Sequence, residues 1–274
     1  MTEPGSSMGD VHAVTVADEV FTVEDSGPAS GPCVLFSHSI MTTHAMWRRQ
    51  VELLAQAGYR VVAYDARGHG GSVVSPAPYR MRQLADDAIG LLDALGIGRA
   101  HFVGLSLGGM IAFDLAARYR KRLLSAVICD ARADSPESFA RPWDERIELA
   151  REQGMKSLAS PTIARWFGAG FRETQEARAI HRMICEAPVE GFVGTARALQ
   201  DFDFRPGLAD IDLPVTLICG DRDGVLPDEM AALARRIPGA VLEMIAGAGH
   251  LPNLENPVHF DAALMRHFER VTAR

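Results

Sequence analysis

A serine set between glycines is the first feature with chemical content. Gly104-Leu105-Ser106-Leu107-Gly108-Gly109 directly follows the apolar run His101-Phe102-Val103 and precedes a helical pattern. This is the G-x-S-x-G arrangement, in which a serine occupies a strained turn between strand and helix. Small residues flank it because side chains there would meet neighbouring backbone. The following helix points its N-terminus at the serine and favours negative charge developing beside it. The five-residue pattern alone also describes an ordinary glycine-rich turn; a strand before, a helix after and partners downstream give it weight.

A serine hydroxyl is a weak nucleophile at neutral pH and needs a base. Of nine histidines, His250 stands in Gly247-Ala248-Gly249-His250-Leu251-Pro252, a flexible loop after a strand-like run at 241–245. His69, in Asp65-Ala66-Arg67-Gly68-His69-Gly70, precedes the serine, which breaks the chain order of such triads, and is assigned a turn role. The carboxylate that orients the base is sought in Gly220-Asp221-Arg222-Asp223-Gly224. Asp223 has the longer reach, Asp221 suits the turn itself, and Asp130, at the end of the preceding strand, is a third candidate. Two backbone N–H groups must hold the oxyanion. Leu107 supplies one; the other comes from Ser37-His38-Ser39-Ile40-Met41, with Ile40 preferred and Ser39 next.

These residues need a scaffold that brings strand ends together. Runs at 33–36, 60–64, 101–103, 124–129 and 215–219 are short, apolar and without strict alternation, as in strands buried on both faces. Helical patterns at 47–57, 84–95 and 109–119 separate them, and Gly58 and Gly96 stand where left-handed caps are expected. Strand and helix in alternation imply an α/β protein with a mostly parallel central sheet flanked by helices. Two short strands, 11–16 and 20–24, form an opening hairpin, and residues 1–10 read as a loose tail. From 132 to 205 strand-like runs disappear and helical pieces take over, including 143–153, 157–167 and 176–185. The expected organisation is thus a core of residues 1–131 and 206–274 with a helical lid, 132–205, inserted in it. Alternation then resumes with a helix at 228–237, a strand at 241–245 and a last helix at 258–271.

Composition narrows the function. With 47% hydrophobic and 23% charged residues the chain is ordinary for a globular protein. A net charge of −7 and a pI near 5.7 supply no basic footprint for nucleic acid. No apolar run approaches the roughly 20 residues of a membrane-spanning helix. The four cysteines, Cys33, Cys129, Cys185 and Cys219, lack metal-ligand spacing and read as free thiols. With no secretory signal at the N-terminus, a cytoplasmic location is expected.

With these motifs placed, the chain resembles the α/β-hydrolase family and within it is most similar to the 3-oxoadipate enol-lactonases. The resemblance rests on Ser37-His38-Ser39-Ile40 with Met46-Trp47, Asp65 to Gly70, Gly104 to Met110, Arg165-Trp166-Phe167 and Gly249-His250-Leu251-Pro252-Asn253. It implies Ser106 as nucleophile, Asp223 as acid, His250 as base, and Ile40 with Leu107 as oxyanion donors, with no metal and no cofactor. Those lactonases carry leucine then glycine where this chain has Ile40 and Met41, and a small polar residue where it has Arg132. Arg132 is a candidate clamp for a substrate carboxylate; the alternative is a lid salt bridge to Asp134 or Glu137. Trp143, Trp166, Phe167, Met155 and Met183 are expected under the lid, as pocket lining or as lid core.

The expected activity is hydrolysis of a small lactone through an acyl-enzyme, with a small ester or lactone as partner and oligomeric state undetermined. A carboxylesterase, a C–C bond hydrolase, a cofactor-free perhydrolase and a small-molecule receptor remain open. Substrate profile separates the enzymes, and ligand affinity without turnover marks the receptor.

Overall fold

The computed structural model describes residues 9–273. The reading of a loose tail therefore falls, but for Gly9 and Asp10, outside the described residues, and Asp10 itself opens the first strand, paired with Asp25.

Eight strands form one sheet: β1 (Asp10–Val16), β2 (Glu19–Ser26), β3 (Cys33–Ser37), β4 (Arg60–Tyr64), β5 (Ala100–Leu105), β6 (Leu123–Cys129), β7 (Val215–Gly220) and β8 (Val241–Ile245). Their spatial order is β1-β2-β4-β3-β5-β6-β7-β8. The opening hairpin is antiparallel and joins β4 antiparallel; every other pairing is parallel. Ala17 and Asp18, both at positive φ (46° and 69°), make the two-residue turn whose twist matches a hairpin. Strands β3, β5 and β7 are buried at every residue, so helices cover both faces, as their unbroken apolar sequences require.

Helices α1 (Arg48–Gln56), α2 (Met81–Ala94) and α3 (Leu107–Arg118) connect the central strands. Gly96 closes α2 at φ 67°, its N–H bonded to Asp93 O and that of Ile97 to Leu92 O. Between β6 and β7 the chain runs through α4 (Glu137–Ala140), α5 (Pro142–Gln153), α6 (Lys156–Trp166), α7 (Gln175–Glu186) and α8 (Val189–Leu199). The two ends of this segment are stitched together: Phe204 N–H donates to Ala133 O at 2.7 Å and Ser135 N–H to Phe202 O at 2.9 Å. Then come α9 (Leu226–Arg236), α10 (Pro252–Glu255) and α11 (Pro257–Thr272). Helix α11 meets the α1 region through Phe260 against Trp47 and through Asp261, which accepts from Arg49 and Gln50.

The chain leaves β3 toward one side of the sheet and returns to β5 on the other, so the loops after these neighbouring strands diverge and open a crevice at their carboxyl ends. Ser37 and Gly104 stand opposite each other at that point. Helix α3 lies so close that a Cβ on Gly108 would sit 2.3 Å from Ser37 O, and one on Gly104 2.2 Å from Gly108 O. Gly96 has open space around it and needs glycine for φ alone.

The two kinds of glycine separate in thermal melts. Gly96→Ala is expected to cost about 1 kcal/mol, roughly 2–4 °C in Tm. Gly108→Ala, blocked by backbone, should cost more than about 3 kcal/mol, or over about 6 °C. The opposite order would contradict the packing described.

Candidate active site

Ser106 caps α3 at φ 55°, ψ −109°, a region that L-residues adopt only under constraint. Its N–H donates to Cys129 O at 2.8 Å and its carbonyl accepts from Met110 N–H at 2.9 Å. The turn is therefore held from both sides. Ser106 lines a cavity of about 730 Å³ together with Ile40, Asp130, Asp223 and His250.

His250 Nδ1 lies 2.6 Å from Asp223 Oδ2, and both side chains are buried. A carboxylate only accepts, so Nδ1 carries the hydrogen and Nε2 keeps its lone pair for a proton from elsewhere. Asp221 is exposed and accepts from Gly247 N–H at 2.7 Å, tying down the turn. No hydrogen bond joins Ser106 Oγ to His250 among the described residues; such contacts often close only with substrate in place.

Two connections that the sequence did not suggest hold the His250 loop. His250 N–H donates to Trp166 O at 2.9 Å, and the two rings lie 5.3 Å apart. The Glu255 carboxylate accepts from Gly249 N–H at 2.7 Å and from Gly168 N–H at 2.8 Å. One acidic side chain on α10 thus ties the His250 loop to the helical segment. Nothing in Leu251-Pro252-Asn253-Leu254-Glu255 beyond a lone acidic residue signals this.

The loop after β3 is organised by His38. Its Nδ1–H donates to Ser39 O at 2.7 Å and its Nε2 accepts from Ala66 N–H at 2.9 Å, which fixes one neutral tautomer. Burial lowers its pKa despite the nearby Asp65 carboxylate. Thr42 Oγ1 donates to the same Ser39 carbonyl at 2.7 Å. Met41 is buried at φ 63°, a left-handed position that residues other than glycine rarely adopt. The N–H groups of Ile40 and Leu107 donate to no protein acceptor among the described residues. His69 lies outside the cavity, edge-on to His38 at 4.9 Å, its Nδ1–H on Arg67 O. Burial and the neighbouring His38 press its pKa to about 3, so it stays neutral in its turn.

Asp130 is buried at φ 43°, one oxygen accepting from Gly220 N–H at 2.9 Å and the other without a donor. Burial first, then the Asp223 carboxylate within hydrogen-bonding reach, push its pKa well above the ordinary carboxylate range. Two adjacent buried carboxyls cannot both ionise cheaply, which favours the protonated form of Asp130, able to donate to Asp223.

Around the cavity, Trp143 and Trp166 line the wall. Phe167, Met155 and Met183 do not: Phe167 stacks on Phe171 at 5.0 Å, Met155 is buried among the helices, and Met183 sulfur accepts from Thr43. Arg132 lines the cavity but is ion-paired to Asp134 at 3.2 Å and Glu229 at 3.3 Å, over the Phe139 ring. The salt bridge reaches Asp134, one of the two expected partners, and finds Glu229 on α9 in place of Glu137. Arg146 and Arg165, which drew no attention in the sequence as cavity residues, also line it.

A strained serine and a buried His–Asp pair on one cavity, with two unengaged N–H groups at Ile40 and Leu107, define a hydrolase. The Alpha/beta hydrolase family profile matches residues 34–260, and the chain belongs to that family. It is 34% identical over 254 residues to 3-oxoadipate enol-lactonase 2 of Acinetobacter baylyi, covering 92% of this chain and 94% of that one. The solved enol-lactonase from Burkholderia xenovorans superposes with a TM-score of 0.88 at 32% identity, covering 94% of this chain and all of the other (100%). A thermophilic esterase from Thermogutta terrifontis, solved with malate bound, gives 0.88 at 32% identity over 96% and 99%.

The Asp130 assignment predicts a pH signature. A carboxyl protonated in the fold and ionised in the unfolded chain loses stability for the fold as pH rises above the unfolded value, about 4. Asp130→Asn removes that loss. The Tm of the variant minus that of the parent should be smallest near about pH 4 and grow toward about pH 7; a flat or shrinking difference would contradict a protonated Asp130.

Proposed function

We propose that this protein opens small lactones of the 3-oxoadipate enol-lactone type through an acyl-enzyme on Ser106. The observation that carries the reading is the His250–Asp223 bond of 2.6 Å on the same cavity as the strained Ser106. In the proposed cycle Ser106 Oγ attacks the lactone carbonyl as His250 Nε2 takes its proton. Leu107 and Ile40 N–H groups receive the oxyanion. The ring C–O bond breaks, His250 returns the proton to the ring oxygen, and the leaving group stays attached through the acyl chain. Water, deprotonated by His250, then cleaves the acyl-enzyme and restores the serine.

The enol-lactonase relatives support the lactone, and the malate-bound esterase supports a small polar ligand. Residues 132–205 serve as the lid in this reading, with Trp143, Trp166 and Arg132 facing the substrate. All four cysteines are free, in keeping with a reducing cytoplasm. Acyclic esters are the second reading, favoured by the esterase likeness.

Steady-state hydrolysis of 3-oxoadipate enol-lactone, γ-butyrolactone and short p-nitrophenyl esters tests it. The enol-lactone should have the highest kcat/KM, and Ser106→Ala should lower kcat by at least about 10⁴-fold. Turnover of the esters alone would transfer the assignment to the second reading. Ser106→Ala within about tenfold of the parent would remove Ser106 from the mechanism.

A further inference from the structure

Each charge on the cavity wall has a counter-charge or is neutral, with two exceptions. Arg132 is matched by Asp134 and Glu229, Asp223 is bonded to His250, and Asp130 is held as the acid. Arg146 and Arg165 line the same cavity and have no carboxylate within ion-pair distance among the described residues. Of its acidic sequence neighbours, Asp144 is engaged by Arg197, and neither Glu145 nor Glu148, both exposed, forms an ion pair with Arg146 among the described residues.

Arg146 is held in place. Its Nη2 donates to Thr162 Oγ1 at 3.0 Å, and its guanidinium lies 4.5 Å from the centroid of the Trp143 ring. Thr162 and Trp143 are both buried. Burial, with the charge of Arg165 added, lowers the Arg146 pKa to about 10, which still leaves a cation at neutral pH. A cation withdrawn from water without a partner is costly. The remaining guanidinium N–H groups are free to make the paired hydrogen bonds that a carboxylate accepts.

We infer that Arg146, backed by Arg165, is the carboxylate-recognising group of this cavity. The preferred substrate is then an ester or lactone whose acyl portion carries a free carboxylate. The inference rests on the hydrolase reading above and moves the clamp from Arg132 to α5.

The test compares 3-oxoadipate enol-lactone with its neutral carboxamide analogue. The parent should favour the carboxylate by about 10- to 100-fold in kcat/KM, the range of a charge-assisted hydrogen-bond pair. Arg146→Gln should collapse that ratio to within about threefold, and Arg146→Lys should keep part of it, having charge without the planar fork. Calorimetry on Ser106→Ala protein decides the arginine without turnover: adipate should bind at least about tenfold more tightly than adipamide, and adding Arg146→Gln should abolish the difference. An unchanged preference in Arg146→Gln protein that melts like its parent, or equal binding of adipate and adipamide, would overturn the inference while leaving the hydrolase standing. Absence of all lactone and ester turnover, with adipate still selected through Arg146, would instead overturn the hydrolase reading.

Discussion

Backbone meets backbone without intervening side chains where β3, β5 and α3 converge. A methyl group on Gly108 would lie 2.3 Å from Ser37 O, one on Gly104 2.2 Å from Gly108 O, and one on Gly109 2.6 Å from the Ala131 methyl. The approach leaves the residue between strand and helix no ordinary conformation, and Ser106 is driven to φ 55°. The same approach brings the first turn of α3 against the loop after β3, where Gly108 N–H donates to His38 O at 3.2 Å. Serine, helix N-terminus and second N–H donor are thus fixed by one packing constraint, and strain at the turn is offset by the burial of the surrounding sheet.

The electrostatics of the cavity follow from which groups are shared. Asp223 is approached by His250 on one side and Asp130 on the other. Burial and the neighbouring Asp223 push the Asp130 pKa up, toward a carboxyl without charge at the carboxyl end of β6. On the opposite wall the helical segment contributes cations. Arg132 is spent on Asp134 and Glu229, an arrangement that pins the segment to α9. Arg146 is oriented by Thr162 and Trp143 alone. Glu255 and Trp166 O join this wall to the loop that carries His250, so the residues above the cavity and His250 form one connected unit.

Much of this was legible in the sequence wherever a local rule governs a local structure. The elbow, the order of serine, acid and histidine, the opening hairpin, the caps at Gly58 and Gly96 and strand β8 all follow from glycine placement, apolar runs and chain order. Helix starts drifted by two or three residues, as at Met81 and Leu226, because their N-cap residues, Arg80 and Val225, make no side-chain cap hydrogen bond that would mark the start. Helix α8 lacked a clear signal because Gly191 and Gly194 interrupt its pattern; both are set by contact, Gly191 against Gly68 O and Gly194 against the Tyr79 ring. The roles of Arg132 and Glu255 depend on partners 97 and 87 residues away, Glu229 and Gly168, and that of Arg146 on the lack of one. Side chains brought together only by tertiary packing carry no spacing to read.

The central claim is that the constrained turn makes Ser106 the nucleophile of this cavity. Its most direct test is covalent labelling with a fluorophosphonate followed by peptide mapping in the mass spectrometer. A single stoichiometric adduct on the peptide containing Ser106, formed rapidly and suppressed in His250→Asn protein, is the predicted result. Labelling of another residue, or no adduct from protein that hydrolyses esters, would contradict the account.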